Sequence, residues 1–141
     1  MTETVAVEGL EAFQRDLAAA VRDLPGESRR AAVKAAQLVA AATREALGSL
    51  GGSAPKVADT VAVLTQQAGA AVTIGGGSSV GGLVALGNEF GARRFRQFPP
   101  WAGSGDGSGY ALGRSARSKE AQVVDAFGEM VDRLLQRAFP S

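Results

Sequence analysis

Val57-Ala58-Asp59-Thr60-Val61-Ala62-Val63-Leu64-Thr65 is the stretch on which the fold class turns. It is dense in β-branched residues and alternates with a period of two, the signature of a strand. Gln66-Gln67-Ala68-Gly69 follows as a link of hairpin length, and Ala70-Ala71-Val72-Thr73-Ile74 returns as a second strand. A hairpin over about 57–75 is therefore expected. Everything on its N-terminal side reads differently.

Leu10, Phe13, Leu17, Val21 and Leu24 recur every three or four residues, with Glu11, Arg15, Asp16, Arg22 and Asp23 on other faces. That period predicts an amphipathic helix over about 8–24 that buries its apolar stripe. Pro25-Gly26 reads as its stop. A second helix is expected over about 28–47, with Ser28 as N-cap and Gly48 at the C-terminal end. Its inward stripe is Ala32, Ala36, Leu38 or Val39, Thr43 and Leu47. The short Pro-Gly link predicts that the two helices pack as antiparallel neighbours.

Beyond the hairpin the helical period returns only near the end. Val124, Phe127, Val131, Leu134 and Ala138, widened by Val123, Met130 and Leu135, predict a helix over about 118–138. Ser118 is placed to cap it and Pro140 to limit it. Between lies a glycine-rich region, 75–117, holding twelve of the 19 glycines by residue 113. It is read as loops, a short strand or turn at 83–86, and a long arm near 93–109. Helices segregated from an antiparallel hairpin make the fold class α+β: two long N-terminal helices and a C-terminal helix on a small sheet. At 141 residues the chain is sized for a single domain, 1–141.

Composition removes several kinds of chemistry. There is no Cys and no His, which excludes cysteine-based zinc sites, Ser–His or Cys–His nucleophiles, and disulfides. Gly75-Gly76-Gly77-Ser78-Ser79-Val80-Gly81-Gly82 lacks the Lys-Ser/Thr that a phosphate loop needs after its last glycine, so it reads as a turn. Glu89 has no second carboxylate in its segment before Asp106, and a catalytic pair needs two at a set separation. The expectation is a protein that is not an enzyme and uses no cofactor or metal. Met1-Thr2-Glu3-Thr4 has no signal-peptide pattern, and no apolar run reaches membrane-spanning length. Synthesis in a cytoplasm and no membrane association are expected.

Net charge is +1, yet residues 93–119 carry six cations, Arg93, Arg94, Arg96, Arg114, Arg117 and Lys119, against Asp106 alone. The remainder is accordingly acidic, so a basic surface on a mildly acidic body is expected. Within it, Arg93-Arg94-Phe95-Arg96-Gln97-Phe98-Pro99-Pro100-Trp101 interleaves arginines with aromatics on a proline-stiffened backbone. Three readings stay open at this point. The segment can anchor a protein interface, cover the domain core, or grip nucleic acid with Arg on phosphate and rings on bases. The candidate interface residues are Glu89, Phe90, Arg93, Arg94, Phe95, Arg96, Phe98, Pro99, Pro100 and Trp101. Arg114, Arg117 and Lys119 are candidates for contact with DNA.

Val7-Glu8-Gly9-Leu10-Glu11-Ala12-Phe13, the alanine-rich second helix and hairpin, and Glu89-Phe90-Gly91 occur here in one order. Arg96-Gln97-Phe98-Pro99-Pro100-Trp101 and a glycine-rich stretch to Tyr110 follow. In this the chain resembles the tail-completion or neck proteins of long-tailed phages, the group that includes the lambda minor tail protein Z. It is most similar to the version in phages of actinobacteria. The resemblance spans about 7–139, and Gly113-Arg114-Ser115-Ala116 stands where the broader family has a Pro-containing segment. It implies a structural virion protein at the head–tail neck that forms a ring, usually sixfold, and helps join tail to head. Implied partners are further copies of the chain, adjacent neck and tail-tube proteins, and non-specific contact with genome DNA. A tail terminator or head-closure ring protein of the same neck is the alternative, and a cellular nucleic-acid-binding module a lower one.

Overall fold

A computed structural model of the protein describes residues 9–67, 69–76, 82–93, 95–99 and 109–139. The elements are α1 (Leu10–Leu50), α2 (Ala54–Ala58), β1 (Ala62–Thr65), β2 (Ala70–Thr73), α3 (Gly82–Phe90), α4 (Leu112–Ser118) and α5 (Glu120–Ala138). The class is α+β: long N- and C-terminal helices with a two-stranded antiparallel sheet. The strands pair in the register Ala62↔Thr73, Val63↔Val72, Leu64↔Ala71, Thr65↔Ala70. Gln66 and Gly69 exchange backbone hydrogen bonds of 2.9 and 3.4 Å to close the hairpin.

The expected pair of antiparallel N-terminal helices is a single helix. α1 runs 41 residues straight through Pro25, about 60 Å at 1.5 Å per residue. Proline inside a helix removes the hydrogen bond to the carbonyl four residues back and costs about 3 kcal/mol. Here Pro25 is exposed, so water can reach the Val21 carbonyl that it leaves without a partner. Contacts on both sides of Pro25 hold the helix to α5, where they offset that cost. Asp23 accepts from Arg137 at 3.0 Å, and the buried Glu27 accepts from Arg133 at 3.4 Å and Arg137 at 3.3 Å.

The other boundaries shift as well. Val57 and Ala58 belong to α2, and only 62–65 of the expected first strand is extended. Residues 83–86, read as a strand or turn, lie in α3, whose inner face is Ala85, Asn88 and Glu89. Gly87 and Val84 are weak helix formers, which hid this helix from its pattern. Ser118 does not cap the last helix: it closes α4, its hydroxyl donates to the Ser115 carbonyl at 3.0 Å, and Lys119 is the α5 N-cap. Pro140 lies outside the described residues.

The core sits at the C-terminal end of α1. Ala40 and Leu47 meet Ala54 and Val57 of α2, Val61, Ala85 of α3 and Ala111 before α4, with Val63, Val72 and Ile74 of the hairpin packed against them. The small residues expected on the inner stripe are there for close approach: Ala36, Val39, Thr43 and Leu47 are buried. Thr43 satisfies its hydroxyl by donating to the Val39 carbonyl at 2.7 Å. Asn88, fully buried, ties α3 to the α1–α2 turn by donating to Ser53 Oγ at 2.9 Å and the Val84 carbonyl at 3.0 Å.

Candidate functional site

The Glu89-Phe90-Gly91 segment organises the basic region. Glu89 ends up 4% exposed on the last turn of α3. Its carboxylate accepts backbone hydrogen bonds from Ala111 (3.2 Å), Leu112 (2.6 Å) and Gly113 (2.9 Å). The first amides of a helix have no partner within it, so a carboxylate placed there satisfies them and complements the helix dipole. The Glu89 carbonyl also accepts from the Tyr110 amide at 2.6 Å. Gly109 lies against the same carboxylate so closely that a Cβ there would collide with it. As a candidate contact for a neighbour Glu89 is therefore corrected: burial and three backbone donors commit it inside the chain.

Gly91 then turns the chain. Its φ of 80° is open to glycine at little strain, and its amide closes α3 on the Gly87 carbonyl at 2.7 Å. The arm leaves from here and folds back. Ala92 donates to the Pro99 carbonyl at 3.0 Å, and Phe98 donates to the Phe95 carbonyl at 3.2 Å. Phe98 lies on Gly87, where an added Cβ would sit 2.7 Å from the ring. Phe95 meets Phe98 edge-on, with centroids 6.3 Å apart and planes at 78°, yet remains 62% exposed.

Part of the arm therefore packs on the domain, as one of its three sequence readings expects, and part is left exposed. Phe98, with half-buried Pro99 and Phe90, covers the domain; Arg93, Phe95 and Arg96 are exposed. Arg94, Pro100 and Trp101 lie outside the described residues. On α4, Arg114 and Arg117 are exposed one turn apart, Arg114 with its guanidinium 5.6 Å from the Tyr110 ring centroid, within cation–π range. Lys119 is half-buried at the α4–α5 junction. α3 brings the two basic segments together, holding the arm through Gly87 and the start of α4 through Glu89.

A second surface escaped the sequence reading because it was assigned to the core. Leu10, Leu17, Val21 and Leu24 of α1 are between 39% and 61% exposed. Leu17, Val21 and Leu24, with Val131, Leu135 and Phe139, also exposed, line an open apolar groove of about 280 Å³ between α1 and α5. Only Phe13 of the predicted α1 stripe finds substantial cover, its ring 5.2 Å from that of Phe139. Nearby, Glu27 is 3% exposed and paired with Arg30 at 2.6 Å, Arg133 and Arg137. The Arg30 hydrogen bond, more than opposing burial, and the Arg30 and Arg133 charges hold its carboxyl below the ordinary carboxylate range.

Among the described residues no group of three or more carboxylates stands placed to hold a metal ion, and no helix is long and apolar enough to cross a membrane. No protein-family model matches the chain, and no curated protein or solved structure is detectably similar to it.

Proposed function

We propose that the chain is a structural, non-enzymatic virion protein of the neck of a long-tailed phage: a ring-forming tail-completion component that helps join tail to head. One observation carries the reading. The residues of the phage-neck resemblance, Glu89-Phe90-Gly91 and Arg96 to Pro99, are among those that build the arm, and three of them have a physical task in it. Glu89 caps α4, Gly91 makes the turn, and Phe98 clamps the arm to Gly87, which leaves Arg93, Phe95 and Arg96 presented outward. Arginine and aromatic side chains anchored on a rigid base are the kind that carry interface energy.

In the ring, expected to be sixfold, this arm is one side of a heterologous contact, meeting a different patch on the neighbouring copy or on the adjoining neck or tail-tube protein. Arg114 and Arg117 on α4 are the cations offered to passing DNA, a contact that would be independent of sequence and weaken steeply with salt. The subunit is made in the host cytoplasm and incorporated into the particle. A tail terminator or head-closure ring would use the same arm in a different layer of the neck.

Gold-labelled antibody against the protein, applied to tailed particles and to separated heads and tails, tests this. Label at the head–tail joint and at one end of free tails is the expected result. Absence of the protein from purified particles by mass spectrometry would overturn it.

A further inference from the structure

α1 is held unevenly along its length. After Gly26 it is buried at Ala31, Ala35, Ala40, Thr43 and Leu47. Arg29 and Arg44 in this half also donate to the carbonyls of Gln67 and Val61, at 2.7 and 3.1 Å. Between Leu10 and Leu24 Ala20 alone is buried, and Leu17, Val21 and Leu24 are exposed along the groove. Among the described residues the ties of this first half to the rest of the fold run to α5 and the residue that follows it, Asp23 to Arg137 and the Phe13 ring to that of Phe139.

The change from one half to the other falls at Pro25-Gly26. Proline is where sharp helix kinks occur, because it removes a hydrogen bond and crowds the preceding turn. Glycine is the next poorest helix former, and packing does not call for it here: a Cβ on Gly26 would meet only the Arg30 guanidinium, at 3.9 Å. One side chain bridges this weak point. Arg137 of α5 donates from Nη1 to Asp23 at 3.0 Å and from Nη2 to Glu27 at 3.3 Å, so a single planar guanidinium grips the residues on either side of Pro25-Gly26. Asp23 and Glu27 are four apart and share a face while the helix is straight. Glu27 has Arg30 and Arg133 as well; among the described residues Asp23 has no partner besides Arg137.

We propose that residues 10–24 are a lever hinged at Pro25-Gly26, and that Arg137 is the latch that holds it on α5. Released, the lever swings away as an intact helix and bares Met130 and Ala138, buried residues of α5 that line the groove. The device uses no residue of the basic arm, so it stands or falls apart from the neck reading.

The chain has no cysteine, so spin labels can be set on Glu11→Cys and Gln136→Cys, both exposed, and their separation measured by pulsed EPR. Fourteen residues of helix put Glu11 about 21 Å from Pro25, and a proline kink of about 30° moves it by about 10 Å. The labelled parent should show one narrow distance. Arg137→Ala should add a population about 10 Å longer with helix content by circular dichroism unchanged, and Asp23→Ala, which leaves every partner of Glu27 in place, should do the same. Adding Pro25→Ala to Arg137→Ala should return the single short distance. A broad distribution in the parent, or a single short distance in both latch variants, would overturn the proposal. So would a long population that survives Pro25→Ala, which would place the motion elsewhere, or a loss of helix content, which would mean that the first half melts rather than pivots.

Discussion

The carboxylate of Glu89 accepts the backbone amide of Leu112 at 2.6 Å, 23 residues further along the chain. Through that bond the end of α3 fixes the start of α4, and with it the placement of Arg114 and Arg117. Glu89→Ala strands three amides at the first turn of a helix, one of them buried, and should destabilise the fold by about 2–3 kcal/mol. Glu89→Gln keeps one acceptor oxygen and should lose less. Urea denaturation measures both, and amide exchange of Leu112 and Gly113 should accelerate selectively in the alanine variant.

Gly87 admits the Phe98 ring to the surface of α3. Gly87→Ala inserts a methyl at 2.7 Å from that ring, so the Phe98 ring must shift and its hold on the arm should loosen even though alanine favours the helix. Trypsin should then cleave after Arg93 and Arg96 faster than in the wild type, with global stability changed by no more than about 1 kcal/mol. Unchanged cleavage would mean that Phe98 does not hold the arm.

Phe95 and Arg93 are exposed, so Phe95→Ala with Arg93→Ala should leave stability within about 0.5 kcal/mol of the wild type. In an infected culture complemented only by this variant, joined particles should fall and free heads and tails accumulate. Normal yields of complete virions would remove the arm from the joining contact.

Pro25→Ala restores a donor for the Val21 carbonyl and relieves the ring's clash with the preceding turn. Because α1 is continuous, thermal and urea stability should rise by about 1–3 kcal/mol, reduced somewhat by the extra freedom of the unfolded chain. A turn between two antiparallel helices would respond in the opposite direction.

Glu27 supplies a pH signature. Its folded-state pKa is depressed, chiefly by the Arg30 hydrogen bond, so its contribution is fully present above the unfolded-state value. That contribution is lost as pH falls from about 5 towards the depressed folded value, where the native carboxylate must take a proton. Urea midpoints measured across this range should fall less steeply for Glu27→Gln than for the wild type, on top of a lower stability at neutral pH.

Local chemistry determined the element types where side-chain period and backbone preference agree. The β-branched run ending at Thr65, the return through Val72, and the stripe of α5 all appear near their expected places, because period two and period 3.6 leave different apolar patterns. The inward stripe Ala36, Val39, Thr43 and Leu47 was legible for the same reason. Tertiary structure decided the rest. Pro25 and Gly26 carry every local sign of a stop, yet the helix runs across them, held there to α5 by arginines more than a hundred residues away. Glu89 reads in sequence as an isolated acid; what makes it a cap is the approach of residues 111–113, which no spacing encodes. Leu17, Val21 and Leu24 are apolar at helical spacing whether they face a core or a partner. A period reports that a face is to be buried, and only the packing of the other elements determines whether this chain supplies the cover.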